Sequence, residues 1–547
     1  MLNVVKRYIV KRYIVKLSLL ILSATSKVRD HKMSNKYDNR LPFSKLFERK
    51  FSNQLSTVLI LILSVSLPRD VQPKFESSSN YDTMVENNYL LKKALSMYPS
   101  SVWVYKDRFP TLRHLLLEKN YLDKSIQNRQ SPRLGKIMEK VLRSENIKIL
   151  VIGGSNSAGG GLQEDEHSIN GTFYNILTIW WAKTITPATG SKLQIKVIAI
   201  GGTQSTFFQF CYKVFLEDFQ YDIAIMEMSV NDAKGNTLQN VNKAQPMEQL
   251  TRQLMNCENR PAIFYGNIFT TKIPNHGCFN LMDFGQSLLC DHYDITTINL
   301  CDTICRLNNN GGYNVTTKAI KIQSKDWSHI GLLGHAQIAL MLIKVISRKL
   351  VQLVGYGNDN KDHSRKNSIP RLPPPVYIKT QRNIISMPLC WTTVLSDYNK
   401  HIHNSLEVSV FKSKGFVIMN PVLIGGIRYS GHVYRTDAYG GWWASKKDSQ
   451  ITFAFNIMRT QEHHLHSTRS VGLITRQSPR GGEVEAWMDD CFKKRVSIQL
   501  KKNFRKTYVS IIAVHVTLGR HTLNVRITKG GDVPLTGIVI GPPDGPY

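Results

Sequence analysis

Four kinds of polar residue follow one another along the chain in an order that could carry acyl-transfer chemistry. Ser155 follows two glycines, Asn231 follows an apolar run, and Asp326 and His329 lie three residues apart before a long apolar segment. A serine hydroxyl becomes a nucleophile when a histidine accepts its proton and a carboxylate orients that histidine. Backbone N–H groups and an amide side chain can stabilise the oxyanion that forms. The order therefore predicts an acyl-transfer site, provided that the fold brings these residues together.

The surrounding pattern predicts elements that would do so. Short apolar runs alternate with longer stretches of helical periodicity, which favours an open, mostly parallel α/β sheet. In such sheets functional groups collect beyond the carboxyl ends of the strands. The predicted strands are residues 148–152, 196–200, 222–228, 262–265 and 295–300. The predicted helices are residues 172–184, 205–219, 247–257 and 332–350.

The glycine-rich loop at residues 151–162 has a rival interpretation as a phosphate-binding loop. A P-loop needs a Lys after its glycines, and a dinucleotide fingerprint needs G-x-G-x-x-G. Neither pattern is met around Gly159, and the G-x-S-x-G elbow of many hydrolases does not fit Ser155 either. Taken alone, this loop is weak evidence for catalysis, and the hypothesis depends on all of the clusters together.

Four clusters carry the resemblance: residues 151–162 (VIGGSNSAGGGL), 200–205 (IGGTQS), 227–232 (EMSVND) and 326–335 (DWSHIGLLGH). Taken together, they resemble the SGNH-hydrolase (GDSL-type esterase) superfamily. The resemblance implies a flavodoxin-like three-layer α/β/α sandwich over residues 145–352. It implies that Ser155 is the nucleophile, His329 the general base and Asp326 its partner. It further implies an oxyanion hole made by the N–H groups of Ser155 and Gly202 and by the Asn231 side chain, with Gly201 as the alternative to Gly202.

The chain departs from the family pattern at two positions. Gly154 stands where the family name has Asp, and Ser229 stands where Gly is usual. The second departure, Ser229, keeps open a catalytically inactive glycan-binding protein. The same site could also be that of an acyltransferase. The leading hypothesis is a serine esterase that hydrolyses acyl esters, in particular O-acetyl esters on a carbohydrate, with no cofactor and no metal.

The residues after the α/β pattern predict a second domain. Residues 353–384 form a polar, proline-rich linker, and such spacers are semi-rigid. Residues 385–547 show short alternating runs separated by turn residues, which is typical of an all-β sandwich. It looks like the jelly-roll accessory domains found beside carbohydrate-active enzymes. The string at residues 439–443 (YGGWW) could stack on a sugar or pack in a core.

The N-terminal residues indicate targeting. Within residues 1–80, basic segments precede two apolar runs, residues 17–24 and the 13-residue run from Leu55 to Leu67. This is the arrangement of a signal peptide or a short membrane anchor. Both apolar runs are shorter than the ~20 residues of a spanning helix. Met33 is a candidate true start. Residues 81–144 are expected to be a helical lead-in, and the protein is expected in the secretory pathway, secreted or anchored.

The cysteines suggest disulfide bonds, which fit that compartment. We expect a bridge between Cys390 and Cys491 and a buried thiol at Cys211. Four further cysteines cluster late in the α/β segment and could form two bridges, with three connectivities open: Cys278, Cys290, Cys301 and Cys305.

The net charge of +31 invites a nucleic-acid interpretation, but its distribution argues against one. Residues 81–350 carry only +7, while residues 1–80 carry +10 and residues 351–547 carry +14. No zinc-finger, RNP-like or basic-zipper pattern is present, so no nucleic-acid partner is expected. The expected partner is an acylated carbohydrate or another small ester. A basic surface fits attraction to anionic glycans or cell surfaces.

Overall fold

A computed structural model describes the α/β segment and the C-terminal β segment, and residues 80–547 form a compact unit. The described residues are 89, 91–95, 119–127, 131–162, 171–234, 244–268, 286–300, 305–307, 313–315, 324, 328–355, 371–377, 388–395, 402–419, 428–429, 432–433, 440–458, 468–503 and 505–542. The targeting region, with Met33 and the run from Leu55 to Leu67, lies outside them. None of the helices within these ranges is both long and apolar enough to cross a membrane.

Residues 126–299 contribute the strands of one six-stranded sheet. Its strands are β1 (Ile126–Gln127), β2 (Ile147–Gly153), β3 (Leu193–Ala199), β4 (Ile223–Glu227), β5 (Ala262–Asn267) and β6 (Thr296–Asn299). The order is β1-β6-β5-β4-β2-β3, with β2 to β6 parallel and β1 antiparallel. The parallel strands thus have the flavodoxin-like order, which confirms the predicted fold class. A small separate pair comes next, β7 (Cys305–Leu307) and β8 (Tyr313–Val315).

Helices cover both faces of this sheet. In chain order they are α1 (Lys119–Lys124), α2 (Pro132–Leu142), α3 (Phe173–Trp180), α4 (Thr186–Thr189), α5 (Ser205–Cys211), α6 (Ser229–Lys234), α7 (Gln245–Met255), α8 (Gln286–Tyr293) and α9 (Leu332–Gly355). Because successive strand residues face opposite ways, Ile149 and Val151 of β2 pack with α2, α3 and α9, while Leu150 and Ile152 pack with α5 and α7. The sheet therefore separates two apolar cores.

The C-terminal segment is the predicted β-sandwich of two antiparallel sheets. Its strands are β9 (Leu389–Thr392), β10 (Val408–Lys414), β11 (Val417–Met419), β12 (Arg428–Tyr429), β13 (His432–Val433), β14 (Gly441–Ala444), β15 (Gln450–Ile457), β16 (Thr468–Gln477), β17 (Glu483–Met488), β18 (Val496–Gln499), β19 (Lys506–Thr517), β20 (Gly519–Lys529) and β21 (Val533–Gly541). One sheet has the order β10-β15-β20-β17-β18. The other has the order β11-β14-β21-β16-β19, with β9 also paired to β21, while β12 and β13 form a separate two-stranded sheet.

The second sheet of the sandwich packs directly on the α/β layer. Ile474 of β16 and Val539 of β21 belong to the same apolar core as α5 and α7. Gly541 lies so close to Phe210 of α5 that an added Cβ would approach its ring to 2.6 Å. The two domains therefore share one core and are joined by more than a linker.

The described part of the proline-rich segment, residues 371–377, is also held against the α/β layer. The buried Glu248 of α7 accepts hydrogen bonds from the backbone N–H groups of Val376 (2.5 Å) and Tyr377 (2.8 Å). Arg252, one turn later, donates to the Pro373 carbonyl at 2.6 Å. These contacts satisfy a buried carboxylate and fix the path of the chain between the domains.

The disulfide bonding differs from the expectation. Cys211 of α5 is bonded to Cys390 of β9, so the predicted Cys211 thiol and the Cys390–Cys491 bridge are both wrong. Cys491 is an exposed free thiol. Cys290 is buried and forms no disulfide bond, so two bridges among the late α/β cysteines are wrong as well. Cys278 and Cys301 lie outside the described residues. The physical reason is the docking of the sandwich on α5, which brings together cysteines 179 residues apart.

We expect the double variant Cys211→Ser/Cys390→Ser to lower the free energy of unfolding by about 2–5 kcal/mol. The bridge closes a long loop and so restricts the unfolded chain, and its loss also leaves two buried hydroxyls. Urea unfolding of the purified protein measures this loss. The matched control is Cys491→Ser, which should leave stability unchanged. Equal stability of the double variant and the control would contradict a bond that joins the domains.

Candidate active site

The loop after β2 presents Ser155 in a tight turn. The turn is held by backbone hydrogen bonds from Ala158 N–H to the Gly154 carbonyl (3.0 Å) and from Gly160 N–H to the Ser155 carbonyl (2.8 Å). Ser155 is half-buried, and its Oγ lies 2.8 Å from Nε2 of His329. The structure therefore brings together the predicted serine and histidine, 174 residues apart, at hydrogen-bond distance.

His329 lies just before α9 and is positioned by its neighbours. Its carbonyl accepts from Ser324 N–H at 2.9 Å, and the next residue, Ile330, donates its N–H to the Asn156 side chain at 3.0 Å. A Cβ on Gly160 would come within 3.0 Å of the His329 ring, and one on Gly161 would overlap the Ile330 carbonyl. The glycine run thus allows the histidine segment to approach the serine loop closely.

Asp326, the predicted partner of His329, lies outside the described residues, and its role stays a prediction. His335, predicted to be a helix residue, is buried within α9, where its Nδ1 accepts from Phe173 N–H at 3.4 Å. Burial lowers the pKa of His335 to about 3, so this imidazole stays neutral.

Asn231 and the glycine pair after β3 lie beside Ser155. A Cβ on Gly201 would be 3.8 Å from the Ser155 Cβ, and the Asn231 amide nitrogen donates to the Thr203 carbonyl at 2.9 Å. A Cβ on Gly154 would overlap that same amide nitrogen. Glycine at position 154, the first departure from the family pattern, therefore makes room for Asn231.

The second departure, Ser229, also has a structural explanation. Its hydroxyl accepts from the Ile268 N–H and donates to the Ile268 carbonyl, each at 2.9 Å. The side chain thereby ties the start of α6 to the end of β5. A glycine at this position would provide no such link.

The sandwich contributes directly to the glycine turn. Arg476 of β16 donates from Nη1 to the Gly201 carbonyl at 3.1 Å, and Thr507 of β19 donates its N–H to the Gly202 carbonyl at 3.0 Å. Gly202 has a φ of +64°, and a Cβ there would come within 2.6 Å of the Arg505 carbonyl. Sequence reasoning missed these contacts because nothing in the local pattern links residues 275 positions apart.

Two buried carboxyls accept hydrogen bonds from the backbone around the site. Glu227, at the end of β4, accepts from the backbone N–H (3.2 Å) and the hydroxyl (3.0 Å) of Ser157. Burial raises the pKa of Glu227 to about 8. Asp232 accepts a hydrogen bond from the Ser205 N–H, at the start of α5, at 3.0 Å. Burial raises the pKa of Asp232 to about 6, and the positive charge of the nearby Lys506 opposes that rise.

Comparisons with known proteins show which solved structures share this fold. No family model matches the chain, and no curated protein matches it in sequence. A solved two-domain esterase active on acetylated mannans, co-crystallised with mannopentaose, is 18% identical and covers 77% of this chain and 98% of its own, with a TM-score of 0.52. A second structure of a two-domain esterase active on acetylated mannans is 19% identical over the same shares, with a TM-score of 0.51. These matches confirm the fold, an α/β domain with an appended β-rich domain.

We expect Glu227→Gln to reduce the loss of stability on raising the pH. The unfolded chain releases this proton near the ordinary pKa of 4.5, whereas the folded protein retains it to about pH 8. Folding therefore binds a proton between these values, and stability falls as the pH rises through that window. Gln keeps the shape and has no proton to lose, so the variant should lose less stability than the wild type between pH 5 and 9.

Urea unfolding at pH 5, 7 and 9 measures the difference. The matched control is Glu485→Gln in β17, because hydrogen bonds from Arg526 and Arg495 lower the pKa of Glu485 and it stays ionised across this range. Superimposable pH profiles for Glu227→Gln and the wild type would contradict a buried, protonated Glu227.

Proposed function

We propose that the protein is a serine esterase that removes acyl groups, in particular O-acetyl groups, from a carbohydrate. The observation that carries the proposal is the 2.8 Å contact between Ser155 Oγ and His329 Nε2 at the carboxyl end of β2. This edge, at the point where the strand order reverses between β2 and β4, is where ligands bind in open α/β sheets. The fold shared with a solved esterase supports it.

The reaction proceeds in two steps. His329 Nε2 accepts the hydroxyl proton as Ser155 Oγ forms a bond to the ester carbonyl carbon, and the sugar oxygen leaves carrying that proton. His329 then takes a proton from water, whose oxygen attacks the acyl-serine carbonyl. Carboxylic acid departs and the proton returns to Ser155. Asp326, three residues before His329, is proposed to orient the imidazole.

The oxyanion is proposed to be held by the N–H groups of Ser155 and Gly202 and by the Asn231 amide. The Gly202 N–H belongs to the same peptide as the Gly201 carbonyl, which accepts from Arg476. In a trans peptide these two groups point in opposite directions, so Arg476 fixes the direction of the N–H. The Asn231 nitrogen carries two hydrogens and donates one to Thr203, which leaves the other for substrate.

The inactive glycan-binding alternative loses its main argument. It is based on Ser229, whose hydroxyl is accounted for by its two hydrogen bonds with the Ile268 backbone. An acyltransferase would use the same two residues and differs only in the acceptor of the second step. No contact in the described part of the site favours a sugar acceptor over water, so hydrolysis is the function we propose.

We also propose that the protein functions in the secretory pathway or outside the cell. The Cys211–Cys390 bond supports this location, because structural disulfides persist in oxidising compartments. The signal-like arrangement of residues 1–80 agrees with it.

We expect Ser155→Ala to lower kcat for p-nitrophenyl acetate at least about 10³-fold, because the nucleophile is removed while the fold is kept. The matched control is Ser157→Ala, a buried serine two residues away that contacts Glu227, which should retain activity within about tenfold. Incubating the enzyme with an acetylated oligosaccharide and a second glycan, followed by mass spectrometry, distinguishes hydrolysis, which releases free acetate, from transfer, which acetylates the second glycan. Equal rates for the wild type and Ser155→Ala would overturn the proposal.

A further inference from the structure

A cleft of about 440 Å³ opens on the sandwich near the proposed active site. Trp442 and Trp443 of β14 and Pro534 of β21 line it, together with three arginines, Arg476, Arg480 and Arg505. Trp443 is half-buried, so part of its indole is accessible. An aromatic wall beside several guanidinium groups is a combination that can bind both a sugar ring and a negative charge.

The sheet geometry puts Trp443 on the side of the α/β domain. Trp442 pairs with Leu535, a residue of the sandwich core, so these two side chains face inward. Successive strand residues face opposite ways, and Trp443 with its partner Pro534 therefore lies on the outer face. On that face Ile474, two residues before Arg476, packs in the core shared with α5.

The cleft has a positive lining. Among the described residues that line it, three guanidinium groups accompany one carboxylate, Asp532, which pairs with Arg480 at 3.2 Å. The Arg480 side chain remains 82% exposed in spite of that contact, and Arg505 is also exposed. Guanidinium groups bind carboxylates and sulfates through paired, charge-assisted hydrogen bonds, which are stronger than the neutral hydrogen bonds that an uncharged sugar would accept from them.

The cleft is adjacent to the serine. Arg476 lines the cleft and also donates to the Gly201 carbonyl, and Gly201 lies against Ser155. Arg505 lines the cleft and places its carbonyl against Gly202. A glycan whose ester carbonyl reached Ser155 would therefore extend one of its neighbouring sugars toward the cleft.

We propose that this cleft binds a sugar residue carrying an anionic group, a carboxylate or a sulfate, so that the substrate is an acylated acidic glycan. The ring stacks on Trp443, and the anionic group pairs with Arg480 and Arg505. Only the statement that the substrate is acylated rests on the proposed esterase function, because binding of an anionic sugar in the cleft does not require catalysis.

The test measures binding and catalysis separately in the full-length chain. Ser155→Ala protein is titrated calorimetrically with acetylated oligosaccharides of equal length that are neutral, carboxylated or sulfated. We expect the anionic ligands to bind at least about tenfold more tightly than the neutral one, and the carboxylated and sulfated arms identify which group the cleft prefers. Adding Arg480→Gln/Arg505→Gln to this protein should remove that preference, and adding Trp443→Ala should lower the affinity for all three ligands.

Arg520→Gln, an exposed arginine on β20 of the other sheet, is the matched control and should leave the preference intact. With Ser155 present, the Arg520→Gln control should hydrolyse p-nitrophenyl acetate at the wild-type rate within about twofold, and urea unfolding of the cleft variants reports that they fold. Equal affinity for neutral and anionic ligands, or equal weakening by Arg520→Gln, would overturn the cleft assignment. Selective binding without any hydrolysis would instead overturn the esterase and leave the cleft standing.

Discussion

The packing of the sandwich sheet against α5 is the interaction on which the rest of the site depends. Burial of Ile474 and Val539 with the aromatic face of α5 removes apolar surface from water on both domains. The same docking places Arg476 and Thr507 on the two glycine carbonyls after β3. The turn proposed to hold the oxyanion is therefore shaped by a domain that contributes no nucleophile, and the Cys211–Cys390 bond secures the contact covalently.

The second constraint is that the segments carrying Ser155, Asn231 and His329 must approach one another closely. Gly154 leaves room for the Asn231 amide, and Gly160 and Gly161 leave room for the segment of His329. Any side chain at these positions would separate elements that must touch if Ser155, His329 and Asn231 are to meet around one carbonyl. Glu227 accepts two hydrogen bonds from Ser157 of this loop, and its raised pKa favours the neutral carboxyl, so burial of an unpaired charge beside Ser155 is avoided.

Local patterning was sufficient to predict most of the elements and the proximity of Ser155 and His329. Five buried apolar runs indicated the parallel strands, alternating short runs indicated the sandwich, and the order of polar clusters led to the pairing of Ser155 with His329. The same patterning was insufficient for contacts between the domains. The partner of Cys211 and the role of Arg476 depend on how two separately patterned segments dock, and no periodicity records that. Cleft arginines likewise come from separate strands and loops.

The central claim is that Ser155 is a nucleophile activated by His329. Its most direct measurement is covalent labelling with a serine-directed fluorophosphonate, combined with peptide mass mapping of the full-length chain. The account predicts one adduct, on Ser155, that forms at least about 10²-fold more slowly when His329 is replaced by Gln. An adduct on another serine, such as the nearby Ser157, or labelling of Ser155 at an unchanged rate in the His329→Gln variant, would contradict it.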